Sequence, residues 1–204
     1  MRPLLILDCD EVLLQFANPF AAWLRAERQV EFRFDSHGLV GNLYRLDDGA
    51  PLPKKRCFAL LDCFFAEGQH WQQPVDQAPE VLAGLSPHFD AVVLTNIPAR
   101  FLEARRRHLH SFGLTFPLYA NDGPKGRMVR ELSLGRPAIF LDDFPVHMES
   151  VARLAPDVHR LHMVAEPRIR RLVPVAADAH ARVEGWAEAG RWIRDILERM
   201  NHGR

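Results

Sequence analysis

No stretch of this sequence approaches the ~20 consecutive apolar residues of a membrane-spanning helix. The apolar run near its N-terminus is too short for a signal peptide and passes straight into carboxylates. Cysteine is scarce. Cys9, Cys57 and Cys63 are the only three, and they form no Cys-x-x-Cys pair, which argues against a disulfide framework and points to a reducing compartment. An excess of either charge is also missing. Lys and Arg total 26, as do Asp and Glu, so there is no overall field to attract nucleic acid or an anionic membrane. Gly-x-Gly-x-x-Gly, a Walker loop and His-Glu-x-x-His are all absent. The expectation is a cytoplasmic protein with neither nucleic acid nor membrane as partner.

What is present suits a folded enzyme-sized chain. It has 204 residues, 48% of them hydrophobic, enough for one domain or a domain with a modest insertion. From Asp90 onward, apolar runs and helical patterns alternate. Strands are expected at 91–94, 116–119, 138–141 and 158–164, the last of the series. Helices are expected at 79–85, 98–112, 125–134, 146–154 and 182–200. Such alternation predicts βαβ units with right-handed crossovers and a parallel sheet. The stretch 15–75 breaks the rhythm. Two helical pieces, 19–27 and 54–67, flank a turn-rich loop at 47–53, and aromatics from Phe16 to Trp71 are dense.

The most informative segment is Leu4-Leu-Ile-Leu-Asp8-Cys-Asp10-Glu. A short apolar run bounded by polar residues reads as a buried parallel strand, and in open α/β sheets chemistry sits beyond the carboxyl ends of strands. Two carboxylates two residues apart project to one side. Extended, they stand roughly 6–7 Å apart, room for a tetrahedral phosphate. One can attack phosphorus while the other handles the leaving group's proton.

Three later segments complete a pattern. Val92-Val-Leu-Thr95-Asn96 is an apolar strand ending in Thr. Gly123-Pro-Lys125-Gly-Arg turns into a helix at a Lys. Ala138-Ile-Phe-Leu-Asp142-Asp143 is an apolar strand ending in paired acids. With Asp8-x-Asp10, the four segments resemble, in order, the four motifs of the haloacid dehalogenase (HAD) superfamily. They cover roughly residues 4–151. The resemblance implies a Rossmann-like three-layer α/β/α core with a parallel sheet, built from 1–14 and 76–204. It also implies a small, mainly helical cap at 15–75, inserted after the first strand. Glu11 departs from the commonest pattern, which has Gly there, and receives no role.

By that resemblance Asp8 is the nucleophile forming an aspartyl-phosphate, and Asp10 is the general acid and then base. Thr95, Asn96 and Lys125 bind the phosphoryl group, Lys125 also orienting Asp8. Four acids plus a phosphate in one cleft against a single Lys require more positive charge. Mg²⁺ supplies it, with oxygen ligands drawn from Asp8, the backbone carbonyl of Asp10, and Asp142 or Asp143. The implied activity is Mg²⁺-dependent hydrolysis of a small-molecule phosphate ester. A phosphoryl transferase or mutase and a catalytically idle binding module stand as alternatives. A signalling receiver fits poorly, because the paired acids come last in the chain. A homodimer through the cap or the C-terminal helix is left open. The runs Arg105–Arg107 and Arg168–Arg171 read as solvated faces. So do Arg45, Lys54, Lys55 and Arg56, and the cap aromatics read as that region's own core.

Overall fold

The computed structural model describes residues 2–36 and 38–202. The chain opens with β1 (Leu4–Leu7), followed by a tight turn and α1 (Ala17–Arg28). Next come β2 (Val30–Phe32), β3 (Leu43–Arg45) and α2 (Lys54–Cys63). The last of these runs into a π-helical turn at Phe64–Gly68 and a 3-10 turn at Gln69–Trp71. Then follow α3 (Ala78–Leu85), β4 (Asp90–Thr95), a 3-10 turn at Ala99–Phe101 and α4 (Leu102–Ser111). The remainder is β5 (Leu118–Ala120), α5 (Gly126–Ser133), β6 (Ala138–Asp142), α6 (Pro145–Leu154), β7 (His159–Met163), α7 (Pro167–Arg170), β8 (Ala181–Val183) and α8 (Trp186–His202).

Six strands form one parallel sheet in the order β5-β4-β1-β6-β7-β8. The chain builds outward from β1 on one side and then returns to build on the other, so the strand order reverses beside β1. A crevice at such a reversal is where open α/β sheets bind ligands. Side chains of β1 alternate between two cores, as the two-residue strand period requires. Leu5 and Leu7 enter a cluster with Leu82 and Leu85 of α3, Leu109 of α4 and Ile193 and Leu197 of α8. Leu4 and Ile6 enter a second cluster with Val129 of α5 and Met148 and Val151 of α6. The result is the expected three-layer α/β/α core. None of its helices is long and apolar enough to cross a membrane, among the described residues.

The region between β1 and α3 has a core of its own. Phe20, Trp23, Leu24, Leu43, Leu60, Phe64 and Phe65 pack together, and Ile97 from beyond β4 joins them. The aromatic rings pack against one another, some stacked, some tilted and some edge-on, as in the Phe20–Phe64 pair at 5.0 Å. Two chain crossings tie this region to the sheet. Val75 N–H donates to the Leu13 carbonyl at 2.9 Å, and Gln15 N–H to that of Gln73 at 2.8 Å.

The mainly helical region also contains a two-stranded antiparallel sheet, β2 with β3. Its period-two signal, Val30-Glu-Phe32-Arg-Phe34, is present but spans only five residues. The strand at 159–163, contrary to expectation, is not the last. Ala181–Val183 pairs in parallel with Leu161–Met163, and the final helix starts only after Gly185. Val183 and Trp186 are three residues apart and both buried, a spacing that also fits a helical face.

Candidate active site

Parallel register brings the motif residues to one edge. Leu7 pairs with Val93 and with Leu141, so β1, β4 and β6 end side by side, with Asp8, Thr95 and Asp142 at their tips. Asp8 N–H donates to the Leu141 carbonyl at 2.9 Å, and Asn121 N–H donates to that of Thr95 at 2.8 Å. After Asp8 the chain turns sharply, with Leu13 and Leu14 N–H both donating to the Cys9 carbonyl. Glu11 takes a positive φ of 61° in this turn, a conformation that normally favours glycine. Its carboxylate accepts N–H bonds from Phe16 (3.1 Å) and Ala17 (2.6 Å), satisfying donors that the start of α1 would leave orphaned. Glu11 is therefore a buried structural acid, and burial above all pushes its pKa up to about 7.

Lys125 sits at the N-cap of α5 and is fully buried. Its Nζ lies 2.6 Å from Asp8 Oδ1 and 2.7 Å from Asp142 Oδ2. Burial opposes its charge, but the two carboxylates outweigh this and raise its pKa. The close approach of α5 to α6 depends on Gly126. A Cβ there would stand 2.1 Å from the Ser150 carbonyl oxygen.

Asp8 Oδ1 also accepts from Cys9 N–H at 2.7 Å. Burial raises the Asp8 pKa to about 6, with the Asp142 charge adding to the rise and Lys125 and His147 opposing it. The paired acids behave oppositely. Both oxygens of Asp142 are engaged, by Lys125, by Phe144 N–H at 2.8 Å and by His147 Nδ1 at 3.0 and 3.1 Å. Lys125 and His147 overcome its burial and hold its carboxyl below the usual range. The Asp143 carboxylate takes no hydrogen bond or ion pair among the described residues. Burial first, then the charges of Asp142 and Asp8, drive its pKa well up. One carboxylate oxygen from each of Asp8, Asp142 and Asp143 lies within 4.8 Å of the others. A buried trio of oxygen donors with one member short of positive charge suits a hard divalent cation.

Asn96 lies beside this group, with its carboxamide turned toward the loop before Lys125. Its Nδ2 donates to the Gly123 carbonyl at 3.0 Å, its Oδ1 accepts from Asn121 Nδ2 at 2.7 Å, and His147 Nε2 lies 3.4 Å from that Nδ2. Thr95 is buried at the tip of β4. Asp10 is not a member of the carboxylate trio and is held by other partners. Its Oδ1 accepts from Arg105 at 2.7 Å and from Gln72 Nε2 at 2.8 Å.

Sequence reasoning missed two residues. Arg105 is wholly buried, which overturns the reading of its Arg run as a solvated face. The missed signal was spacing, for Leu102, Arg105 and Leu109 share one face of α4, and that face points inward. His147 follows Asp143 by four residues, and no pattern weighed in the sequence singled it out. Arg45, in contrast, is a surface residue paired with Asp48, as expected. Cys9, beside Asp8, is buried, and burial pushes its thiol pKa up to about 12, which disfavours the thiolate.

No family model matches the sequence, and no curated protein matches it. Solved structures do. A haloacid dehalogenase-like hydrolase from Streptococcus pneumoniae superposes with a TM-score of 0.61 at 11% identity, covering 94% of this chain and 98% of that one. A predicted phosphoglycolate phosphatase from Haemophilus somnus gives 0.65 at 13% identity, covering 94% and 98%. The HAD-hydrolase YfnB from Bacillus subtilis, bound to magnesium, gives 0.60 at 15%, covering 95% and 99%. At these identities the likeness speaks for architecture, and the chain has the fold of the HAD-superfamily hydrolases over nearly its whole length.

Proposed function

We propose that this protein is a divalent-cation-dependent phosphatase of the HAD type, hydrolysing a small phosphate ester through an aspartyl-phosphate on Asp8. The observation that carries this reading is the arrangement around Lys125. One buried ammonium holds both the strand-end Asp8 and Asp142, while Asp143 stands beside them without a cation of its own. Asp8 Oδ1 is fixed by Lys125 and Cys9 N–H, which leaves Oδ2 to attack phosphorus. Lys125 then faces the charge that gathers on the phosphoryl oxygens, a task suited to a point charge. Thr95 at the adjoining strand tip supplies a hydroxyl to the same group. Asp10 serves the leaving oxygen and later the attacking water.

Asp8, Asp143 and the backbone carbonyl of Asp10 are the residues that would hold Mg²⁺, with Asp142 kept for Lys125 and His147. When bound, the ion would neutralise phosphoryl charge and polarise phosphorus toward attack.

The insert 15–75 is read as a cap that helps close the site. A cavity of about 190 Å³ lies between it and the sheet, walled by Phe16, Phe32, Leu39, Phe144 and Ile169, with Asp143 and Glu11 at its edge. A second, of about 270 Å³, shares Glu11 and is lined by Asp76, Glu166 and Glu184. Among the described residues neither wall contains a Lys or Arg. Arg45 and Arg56 line a separate hollow with Arg28. This favours a substrate whose organic part carries no further negative charge.

Hydrolysis of p-nitrophenyl phosphate by purified protein, with Mg²⁺ and with EDTA, tests the reading. Turnover that needs Mg²⁺ and disappears in Asp8→Asn supports it. Turnover that survives in that variant overturns the assigned nucleophile.

A further inference from the structure

Arg105 is a fully buried cation on α4 whose only ion pair among the described residues is with Asp10. Burying a guanidinium costs several kcal/mol unless partners satisfy it, and its partners here are specific. Nε donates to Gln69 Oε1 at 2.9 Å. Nη1 donates to Asp10 Oδ1 at 2.7 Å and lies 3.0 Å from Cys9 Sγ. Nη2 is buried and has no hydrogen-bond partner among the described residues. The guanidinium therefore does not grip Asp10 as a two-pronged fork, which would engage both carboxylate oxygens. It takes Oδ1 alone. Gln72 Nε2 takes the same oxygen at 2.8 Å while also donating to the Gln15 carbonyl at 3.0 Å. Gln69 and Gln72 both belong to the end of the aromatic insert, and Arg105 belongs to the sheet's helical layer. Two donors from two parts of the molecule converge on one oxygen of one carboxylate and leave the other free.

We propose that Arg105, with Gln72, is a positioning residue that fixes Asp10 by Oδ1 so that Oδ2 alone faces the leaving group. The proposal rests on the phosphatase reading above. In the first half-reaction the bond from Asp8 to phosphorus forms, the bond from phosphorus to the ester oxygen breaks, and its electron pair goes to that oxygen. Asp10 Oδ2 gives its proton to the same oxygen. In the second half, water attacks phosphorus and loses a proton to Asp10 Oδ2. The bond to Asp8 breaks, and the carboxylate keeps the pair. Asp10 ends as it began.

Positioning of a proton donor has a signature that general structural damage lacks. A leaving group that departs readily as an anion needs little protonation, and an alkoxide needs it badly. The experiment compares kcat/KM on p-nitrophenyl phosphate and benzyl phosphate for wild type, Arg105→Lys, Gln72→Met and, as reference, Asp10→Asn. Misplacement of a catalytic group costs up to about 10²-fold. The expected result is a loss roughly tenfold or more greater on benzyl phosphate than on p-nitrophenyl phosphate, in kcat rather than KM, in all three variants. Equal losses on both esters, or no loss, overturn the proposal. Should Arg105→Lys fail to fold, Gln72→Met decides alone. Wild-type protein that turns over neither ester overturns the phosphatase reading itself, and this proposal with it.

Discussion

Lys125 Nζ donates to Asp142 Oδ2 at 2.7 Å within a shell that also holds Asp8, so one buried ammonium serves two strand-end acids. The arrangement separates the tasks of adjacent residues. Asp142 is occupied by Lys125 and His147, and Asp143 is left for a cation. Mutating them should therefore give different phenotypes. Asp143→Asn should abolish any rise in melting temperature with Mg²⁺ that the proposed site predicts, while leaving the metal-free protein as stable as wild type or more so. Asp142→Asn should destabilise the metal-free protein by about 1–3 kcal/mol, because Lys125 keeps Asp8 but loses its second carboxylate, and His147 loses a charged partner. Thermal melts with and without Mg²⁺ read both. Loss of the Mg²⁺ response in Asp142→Asn alone would reverse the assignment.

Stability without metal should fall as pH rises between about 4 and 7. Three buried acids have folded-state pKa values above their ordinary ones: Asp8 at about 6, Glu11 at about 7, and Asp143 well up. At these three sites the folded state binds more protons in that window than the unfolded chain, so their contribution to the slope of unfolding free energy with pH is negative. His108, His159 and His180, which burial holds below their ordinary 6.5, oppose it near that value. The contribution is complete below the ordinary values of 3.8 and 4.5 and is lost as each folded pKa is passed. Asp142, held low, has the opposite sign, but it acts only below pH 3.8. On the proposed reading Mg²⁺ would take the place of these protons, so its stabilising effect should grow as pH rises. Chemical denaturation in EDTA at pH 5.5 and 8 checks the first statement, and the same pair in Mg²⁺ checks the second. A metal-free protein more stable at pH 8 would contradict both.

Gly126→Ala should lower turnover without touching any reacting group. The added methyl meets the Ser150 carbonyl at 2.1 Å, and that is backbone, which cannot swing aside. The start of α5 must move off α6 and take Lys125 with it. Overpacking of this kind costs about 1–3 kcal/mol. Activity should fall more steeply than stability, because Lys125 must contact Asp8 and Asp142 together. Wild-type kcat in a destabilised Gly126→Ala protein would show that Lys125 tolerates the shift.

The sheet and the motif residues were legible because each announces itself locally. An apolar run followed by an acid, a Thr or a paired acid marks both a strand and its end, and parallel register then aligns those ends. β8 was not legible, since three residues cannot distinguish a strand period from a helical one. Arg105 was hidden for another reason. Charge predicts exposure for most arginines, and only the partner across the fold, Asp10, makes burial of this one tolerable. His147 likewise acquires meaning only when α6 brings it against Asp142. Sequence displays residues at the strand tips, whereas the groups that orient them come from elements distant in the chain.

One such distant contact lends itself to a test of stability alone. Trp186, the first residue of α8, donates its indole N–H to the Val12 carbonyl at 2.8 Å, and both residues are buried. Val12 lies in the turn that carries Asp10, so this bond fastens the C-terminal helix to the loop of the site across 174 residues of sequence. Trp186→Phe keeps most of the apolar contact with Leu161 and Ile193 in the shared core but leaves the carbonyl without its donor. An unsatisfied buried acceptor costs about 1–3 kcal/mol. Trp186→Leu should cost more, since it also removes ring volume from a closely packed core. Urea denaturation of both variants gives the comparison. Equal midpoints for Trp186→Phe and wild type would mean that water reaches the Val12 carbonyl and that α8 is held by packing alone.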